Sequence, residues 1–170
     1  MENKITSHIT KGVVIGSVMV TLGFAFQMMD IYDKWVQWLT MGIYFAALIW
    51  SCIFFSKQMN ADVSFGQVFS HGFKTVAIVT LISIASFVIS YFIFPEIKEK
   101  AMEMARQDMA KDERLTQEMI DQAISWTDKF YLVFGIIGSL FGFALTGAIA
   151  SLIGAAVAKK NPNQNMPQSL

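Results

Sequence analysis

Polar and apolar residues occur along this chain in long separate blocks. Four windows of 18 to 29 residues contain no Asp, Glu, Lys, Arg or His; they are Gly12–Met29, Trp35–Ser56, Thr75–Pro95 and Phe130–Ala158. A helix on the surface of a soluble protein keeps one polar face, whereas a helix that crosses a bilayer needs about 20 apolar residues in succession. The pattern therefore predicts four transmembrane helices. The last window is longer than a bilayer requires, so its helix must tilt or project beyond the hydrocarbon.

The first window has a second interpretation, because an apolar segment that follows Lys4 and Lys11 can also be the core of a signal peptide. However, Gly23-Phe24-Ala25 is a poor cleavage site, and Phe26-Gln27-Met28-Met29 would be an unusual mature N-terminus. We therefore expect an uncleaved span.

The connection Glu96–Lys129 is the one long polar segment between the windows, and its pattern predicts a helical hairpin. Pro95 suits the first turn of a helix, and acidic and basic residues then recur three or four positions apart. Thr116 predicts the start of a second helix, whose apolar positions continue into the fourth window. This second arm could be continuous with the fourth span, as one helix over Thr116–Ala158.

These elements predict an all-α fold. The class is a polytopic membrane protein with a bundle of four transmembrane helices and an extramembrane helical hairpin between the third and the fourth. We expect one membrane domain at residues 1–160, with spans at about 12–29, 35–56, 75–95 and 130–158 and the hairpin at 96–129. The segment 161–170 is rich in Asn, Pro and Gln and is predicted to be a disordered tail.

Composition supports this class and excludes others. Apolar residues make up 54% of the chain and charged residues only 15%, whereas a soluble domain has about 25% charged residues. This balance excludes an ordinary soluble enzyme and a disordered chain. The single cysteine, Cys52, lies inside an apolar window, so the chain is not a disulfide scaffold. The net charge is zero, which provides no field that would attract nucleic acid.

The distribution of charge indicates an orientation. The two tails and the second connection contain six basic residues but only Glu2 and Asp62 as acids, whereas Glu96–Lys129 contains six basic and nine acidic residues. Counts of Lys and Arg on the two sides nearly tie, so the short segments decide, and they favour both termini in the cytoplasm. Large aromatic residues then cluster at the outer interface, where we predict anchors at Trp35, Trp38, Tyr91, Trp126 and Tyr131.

Small residues recur every four positions in the last window. They predict a smooth helix-packing face that contains Gly138, Gly142, Thr146, Ala150, Gly154 and Ala158. Gly12 and Gly16 form a similar pair in the first window. Within a bilayer such faces allow helices to approach closely. We favour packing within the chain, and the alternative is that one face meets a second copy in a homo-oligomer.

Local sequence also predicts helix caps. Ser64 followed by Gln67 has the spacing of a capping box, and Thr116 is typical of a helix N-cap. A helix is therefore expected to start at Ser64, to lie partly along the inner surface and to enter the third span.

Residues that could support chemistry are few. His8 and His71 lie 63 positions apart without a third ligand at metal-binding spacing, so we interpret them as interfacial histidines. The sequence has no nucleophile–base arrangement, phosphate loop or H-E-x-x-H element. We therefore expect no catalytic, cofactor-binding or metal-binding residues and no enzyme. The four windows also lack an ionisable residue, which disfavours active ion coupling.

Two further patterns have a functional alternative. Ser83, Ser86 and Ser90 share one face of the third span and would suit a path for an uncharged solute, although such hydroxyls more often bond to carbonyls of their own helix. Thioethers can bind Cu(I), but the spacing of the outer methionines favours apolar packing; these are Met28, Met29, Met102, Met104, Met109 and Met119.

The order of these features resembles a known family. The residues concerned are Val63–Phe69 before the third span, Tyr91–Pro95 at its end, the helix Ala101–Ala123 with Leu115-Thr116-Gln117-Glu118, and a glycine-rich last span that ends in Lys159-Lys160. Together they resemble an uncharacterised family of bacterial membrane proteins, catalogued as domain of unknown function 4199 and found mainly in Gram-negative bacteria. The resemblance implies a four-span inner-membrane protein and provides no activity, cofactor or catalytic residue.

The leading functional hypothesis is a non-enzymatic structural or interaction module that presents an extracytoplasmic helical hairpin to a protein partner. The alternative is a passive channel or carrier for a small uncharged solute. Expected partners are the lipid bilayer and either a membrane protein or a second copy of the chain, but not nucleic acid. The expected location is the bacterial inner membrane, with both termini in the cytoplasm.

Overall fold

The computed structural model describes residues 6–160, which form six helices and their connections. The helices are α1 (His8–Met28), α2 (Lys34–Gln58), α3 (Phe65–Ile93), α4 (Pro95–Met109), α5 (Gln117–Lys129) and α6 (Tyr131–Val157). The all-α prediction is confirmed over this range. Helices α1, α2, α3 and α6 are long and apolar enough to cross a membrane. The tail predicted at 161–170 lies outside the described residues.

Two of the long helices begin before the charge-free windows that predicted them. Helix α1 starts at His8 rather than Gly12. Helix α3 starts at Phe65, directly after Ser64, where the capping box predicts a helix start, and so ten residues before Thr75. A window defined by missing charge stops at the first ionisable side chain, whereas a helix extends until its backbone groups find other partners. As a result, α1 contains His8 and Lys11 in its first turn, and α3 contains His71 and Lys74 in its second and third turns.

The connections after α1 and α2 reverse the chain through left-handed residues. After α1 this residue is Asp30, with a φ of 61°; after α2 they are Asn60 and Ala61, with φ of 52° and 62°. The N–H of Ala61 donates to the carbonyl of Ser56 at 2.9 Å. This is the bonding of a Schellman turn, and it satisfies carbonyls at the helix end.

The described part of the chain divides into two compact units, and the first comprises residues 6–83 and 141–160. All four long helices contribute to its core. One apolar cluster contains Ile15, Tyr44, Leu48, Val76, Val79 and Ala150. A second contains Cys52, Val63, Val68, Ala155 and Ala158.

The second unit, Ile84–Leu140, contains the end of α3, the whole of α4 and α5, and the start of α6. Helices α4 and α5 form the helical hairpin that the sequence predicts between the third and fourth spans. Lys98 pairs with Asp128, and Arg106 pairs with Asp121. Because residue numbers rise along one arm as they fall along the other, the two arms are antiparallel.

The second arm of the hairpin and the fourth span are two helices, and not one continuous helix over Thr116–Ala158. Helix α5 ends at Lys129, α6 begins at Tyr131, and Phe130 between them has φ −111° and ψ 18°. The break is local, because the N–H of Phe134 still donates to the carbonyl of Phe130 at 2.9 Å. A one-residue break leaves the spacing of apolar side chains intact, so their periodicity does not reveal it.

Candidate functional site

A buried basic residue, Lys11, lies at the centre of a cluster in the first unit. Lys11 is only 4% exposed, and its Nζ donates to the carbonyl of Ser51 at 3.3 Å. The same Nζ lies 3.2 Å from His71 Nε2. It also lies 5.0 Å from the ring centre of Phe54 and 5.7 Å from that of Phe55. Within residues 6–160, the ammonium group thus contacts a carbonyl, an imidazole and two aromatic rings, and no carboxylate forms an ion pair with it.

His71 is held in one orientation by the groups around it. Phe55 stacks on its ring, with centres 4.1 Å apart and planes within 7°, and His8 meets it edge-on at 6.2 Å. Because a protonated Lys11 can only donate, the contact with Lys11 requires Nε2 of His71 to accept a hydrogen bond. This places the ring proton of His71 on Nδ1. The backbone carbonyl of His71 accepts a bond from Thr75 Oγ1 at 2.9 Å.

A cavity of about 510 Å³ opens beside this cluster. Pockets that hold small ligands commonly have volumes of about 300–1,000 Å³. Its lining combines basic, hydroxyl and amide groups with apolar ones and includes His8, Phe55, Ser70, His71, Lys74 and Gly66. These residues come from the start of α1, the end of α2 and the start of α3. Three helix ends therefore build one polar site.

The start of α3, which forms one wall of the cavity, is fixed by reciprocal hydrogen bonds. The N–H of Ser64 donates to Gln67 Oε1 at 2.8 Å, and the N–H of Gln67 donates to Ser64 Oγ at 3.3 Å. These two bonds are those of a capping box. In α5, the N–H of Met119 donates to Thr116 Oγ1 at 3.3 Å. The three residues singled out as caps thus each bond to a helix N-terminus.

Close helix packing in the first unit depends on glycines of α1. A Cβ placed on Gly12 would lie 2.6 Å from Ile78 Cβ and 3.1 Å from the carbonyl oxygen of Thr75. A Cβ on Gly16 would lie 3.0 Å from Ile82 Cδ1. Helices α1 and α3 therefore approach each other where the sequence has the small pair Gly12 and Gly16.

The predicted small-residue face of α6 is only partly used. Gly154 packs on Cys52 and Ala150 is fully buried, but a Cβ placed on Gly138 or Gly142 would meet no neighbouring atom within 4 Å. The prediction of close packing at Gly138 and Gly142 is therefore not met within the described chain. Residues four apart are rotated by about 40° around a helix, so a row from position 154 to 138 turns by about 160°. Gly147, which the sequence analysis missed, lies about 20° from Gly154 and packs on Val76.

One hydroxyl in that row and one in α3 bond to carbonyls of their own helices. Thr146 Oγ1 donates to the carbonyl of Gly142 at 2.6 Å, and Ser90 Oγ donates to the carbonyl of Ser86 at 2.8 Å. Such bonds satisfy a hydroxyl inside a membrane without any further partner. They leave Ser90 less available to line a path for a solute.

Ion pairs bridge the two arms of the hairpin and order its turn. Lys98 Nζ lies 2.8 Å from Asp128 Oδ1, and the bond to this carboxylate raises the pKa of Lys98. In the turn, Arg114 donates to Asp112 from its backbone N–H and its guanidinium group, which lowers the pKa of Asp112.

The predicted interfacial anchors differ in their surroundings. Trp35, Trp38 and Trp126 are each more than half exposed in the isolated chain. Tyr91 and Tyr131 stack on each other instead, with ring centres 6.1 Å apart. Both arrangements leave aromatic surface at helix ends, as expected for side chains at a membrane–water boundary.

The contact between Lys11 and His71 was missed, although the sequence holds a signal for it. His8 and Lys11 precede Ile15 by seven and four positions, so the three residues share one face of α1. Extending the buried face of α1 back by one turn would have placed Lys11 against the core. Among the described residues, no group of three His, Cys, Asp or Glu is arranged to hold a metal ion.

The fold and these sites define a class: an all-α protein with four helices able to span a membrane and a helical hairpin between the third and the fourth. The chain belongs to the family described as a protein of unknown function, DUF4199, whose family model matches residues 10–160. The resemblance seen in the sequence motifs is thus confirmed at the level of the family. Comparison with curated proteins and with solved structures gives no match.

Proposed function

We propose that this protein is a non-enzymatic membrane module that presents the α4–α5 hairpin to a protein partner on the extracytoplasmic side of a bacterial inner membrane. The observation that supports the proposal is the surface of the hairpin. Ile120 and Ile124 are buried at 3% and 8% exposure, whereas Met119 and Trp126 are 49% and 58% exposed. Helix α5 thus has one apolar face inside the hairpin and further large apolar side chains outside it.

The exposed side chains of α5 lie together. Met119 and Trp126 are seven positions apart, which is about two helical turns, so they project from nearly the same face. Met104 of α4 is a third large apolar side chain on the hairpin surface, at 38% exposure. Methionine and tryptophan are enriched at the centres of protein interfaces, where a ring of polar residues excludes water. The charged residues of the hairpin would provide such a ring.

The charge distribution supports an extracytoplasmic hairpin. Glu96–Lys129 contains nine acidic and six basic residues, while the tails and the second connection contain six basic residues and two acids. Short basic segments are retained in the cytoplasm. In this orientation both termini and the Lys11 cluster lie on the cytoplasmic side.

The test is photocrosslinking in the membrane of origin. A photoreactive amino acid replaces Met119 in the full-length chain, and the matched control replaces Glu118, an exposed neighbour about 100° around the same helix. We expect a discrete protein adduct from position 119 and a much weaker one from position 118. Adducts to lipid alone from position 119, or equal protein adducts from both positions, would contradict the proposal.

A further inference from the structure

We propose that the cavity beside Lys11 binds a phosphate-type anion, either the headgroup phosphate of an anionic phospholipid or a free phosphate. This site lies in the first unit and is separate from the hairpin. The proposal depends on the basic groups that surround the cavity, on the burial of Lys11, on the start of α3 and on the position of the cavity along the chain.

The polar groups that line the cavity can donate hydrogen bonds, and they include basic side chains. His8, His71 and Lys74 line it, and Lys11 lies behind His71 with its Nζ 3.2 Å from Nε2. Ser70 and Gln67 add hydroxyl and amide groups that can bond to oxygen. Among the described residues no Asp or Glu lines the cavity. An anion with several oxygen acceptors matches this set, whereas a cation does not.

The buried charge of Lys11 is a second reason to expect an anion in the cavity. A charged group that is removed from water inside a protein or a membrane is costly, and neutral partners such as a backbone carbonyl or an aromatic ring offset only part of that cost. Lys11 is 4% exposed, and within residues 6–160 it has no ion pair with a carboxylate. His71 contacts Lys11 and also lines the cavity, so an anion in the cavity would lie close enough to Lys11 to offset part of this cost.

The start of α3 points toward the same site. The positive end of a helix dipole favours an anion at the first turn. Gly66, in that first turn, lines the cavity, and a Cβ placed on it would meet nothing nearer than Ser64 Oγ at 4.0 Å. At Gly66 no side chain therefore fills the space beside the first turn.

The position of the cavity along the chain suits a lipid headgroup. Its residues lie at the ends of three charge-free windows, just before Gly12, near Ser56 and just before Thr75. If those windows span the hydrocarbon, the cavity lies at the depth of the headgroup phosphates. Basic pockets between transmembrane helices at this depth are a known mode of binding anionic headgroups.

The test uses the full-length protein in detergent and two exposed lysines. In Lys74→Gln the lost lysine lines the cavity; in the control Lys57→Gln it lies outside the cavity. Bound lipid is counted by native mass spectrometry with phosphatidylglycerol or with neutral phosphatidylcholine. A second arm measures the thermal midpoint of lipid-free protein in sodium phosphate against sodium chloride of equal ionic strength. Circular dichroism verifies that each variant is folded.

We expect the wild type to prefer phosphatidylglycerol, and Lys74→Gln to weaken that binding about tenfold, since one hydrogen bond to a charged group is lost. Lys57→Gln should bind like the wild type. If phosphate alone stabilises the protein and Lys74→Gln abolishes the effect, the anion is free phosphate. The proposal is overturned if neither probe exceeds its control, or if Lys57→Gln weakens binding as much as Lys74→Gln.

Discussion

The packing of α6 can be tested by adding one methyl group at two of its glycines. At Gly154 a new Cβ would lie 2.7 Å from Cys52 Cβ and 3.3 Å from Ile49 Cα. These are atoms close to the backbone of α2, which cannot swing aside as a long side chain does, so the two helices must separate. At Gly142, on the same helix, a new Cβ would meet no atom within 4 Å.

The two substitutions are expected to change the free energy of unfolding in different ways. Overpacking of a well-packed core costs about 1–3 kcal/mol, so Gly154→Ala should be destabilising by that amount. Gly142→Ala adds no clash and removes the flexibility of a helical glycine, so it should be neutral or stabilising by up to about 1 kcal/mol. For a chain of this size 1 kcal/mol corresponds to about 2–4 °C in Tm. Gly154→Ala should therefore lower Tm by about 2–12 °C.

The chain contains its own reporter for this measurement. Cys52 is the only cysteine, is fully buried and touches Gly154. A maleimide that fluoresces on reaction with a thiol will label Cys52 only when the packing around it opens, so labelling against temperature gives Tm for full-length protein in detergent. If Gly142→Ala lowers Tm as much as Gly154→Ala, the assigned face of α6 is wrong.

Three other changes test separate features. Thr116→Ala removes the acceptor for the first turn of α5 and should cost about 1 kcal/mol; amide exchange there should be faster than in the exposed control Gln117→Ala, and equal exchange would refute the cap. Ala61 has a left-handed backbone, which costs a residue with a Cβ about 1–2 kcal/mol, whereas the extra chain entropy of glycine costs about 0.5–1 kcal/mol. Ala61→Gly should therefore raise Tm by a few degrees. A fall in Tm would count against the turn geometry. Because Arg114 lowers the pKa of Asp112, this carboxylate stabilises the turn above its ordinary pKa, and the contribution is lost as pH falls through the lowered value. A carboxyl NMR titration should show a depressed pKa that Arg114→Gln restores; an unchanged pKa in that variant would show that Arg114 is not the cause.

Much of the fold could be predicted because its main signal is one-dimensional. A helix that crosses a bilayer must be apolar along its whole length, so the windows that contain Ile15, Leu48, Val79 and Ala150 are visible without any three-dimensional information. The hairpin was also predictable, because cap residues and the spacing of acidic and basic residues indicate polar helices in the sequence. The break at Phe130 was not, since one residue outside the helical region changes no side-chain periodicity.

The candidate site depends on contacts that periodicity does not encode. Lys11 and His71 are 60 positions apart, and only the packing of α1 against α3 brings Nζ within 3.2 Å of Nε2. Rules that exclude charge from membrane spans place such residues in the flanking loops, where they look like ordinary interfacial groups. The small-residue row of α6 packs against the rest of the described chain only in part for a related reason: a period of four drifts around a helix with 3.6 residues per turn. Gly154 therefore packs, while Gly138 does not.

The proposed orientation places the hairpin, 96–129, and the basic end of α2 on opposite sides of the membrane. Cysteine labelling tests this orientation most directly. Glu113→Cys, in the hairpin turn, and Lys57→Cys, at the end of α2, are compared in intact cells with a maleimide that does not cross membranes; Cys52 is buried, so the wild type serves as the unlabelled control. We predict labelling at position 113 in intact cells and at position 57 only after the membrane is permeabilised. Labelling at 57 but not at 113 in intact cells would place the hairpin inside and contradict the account.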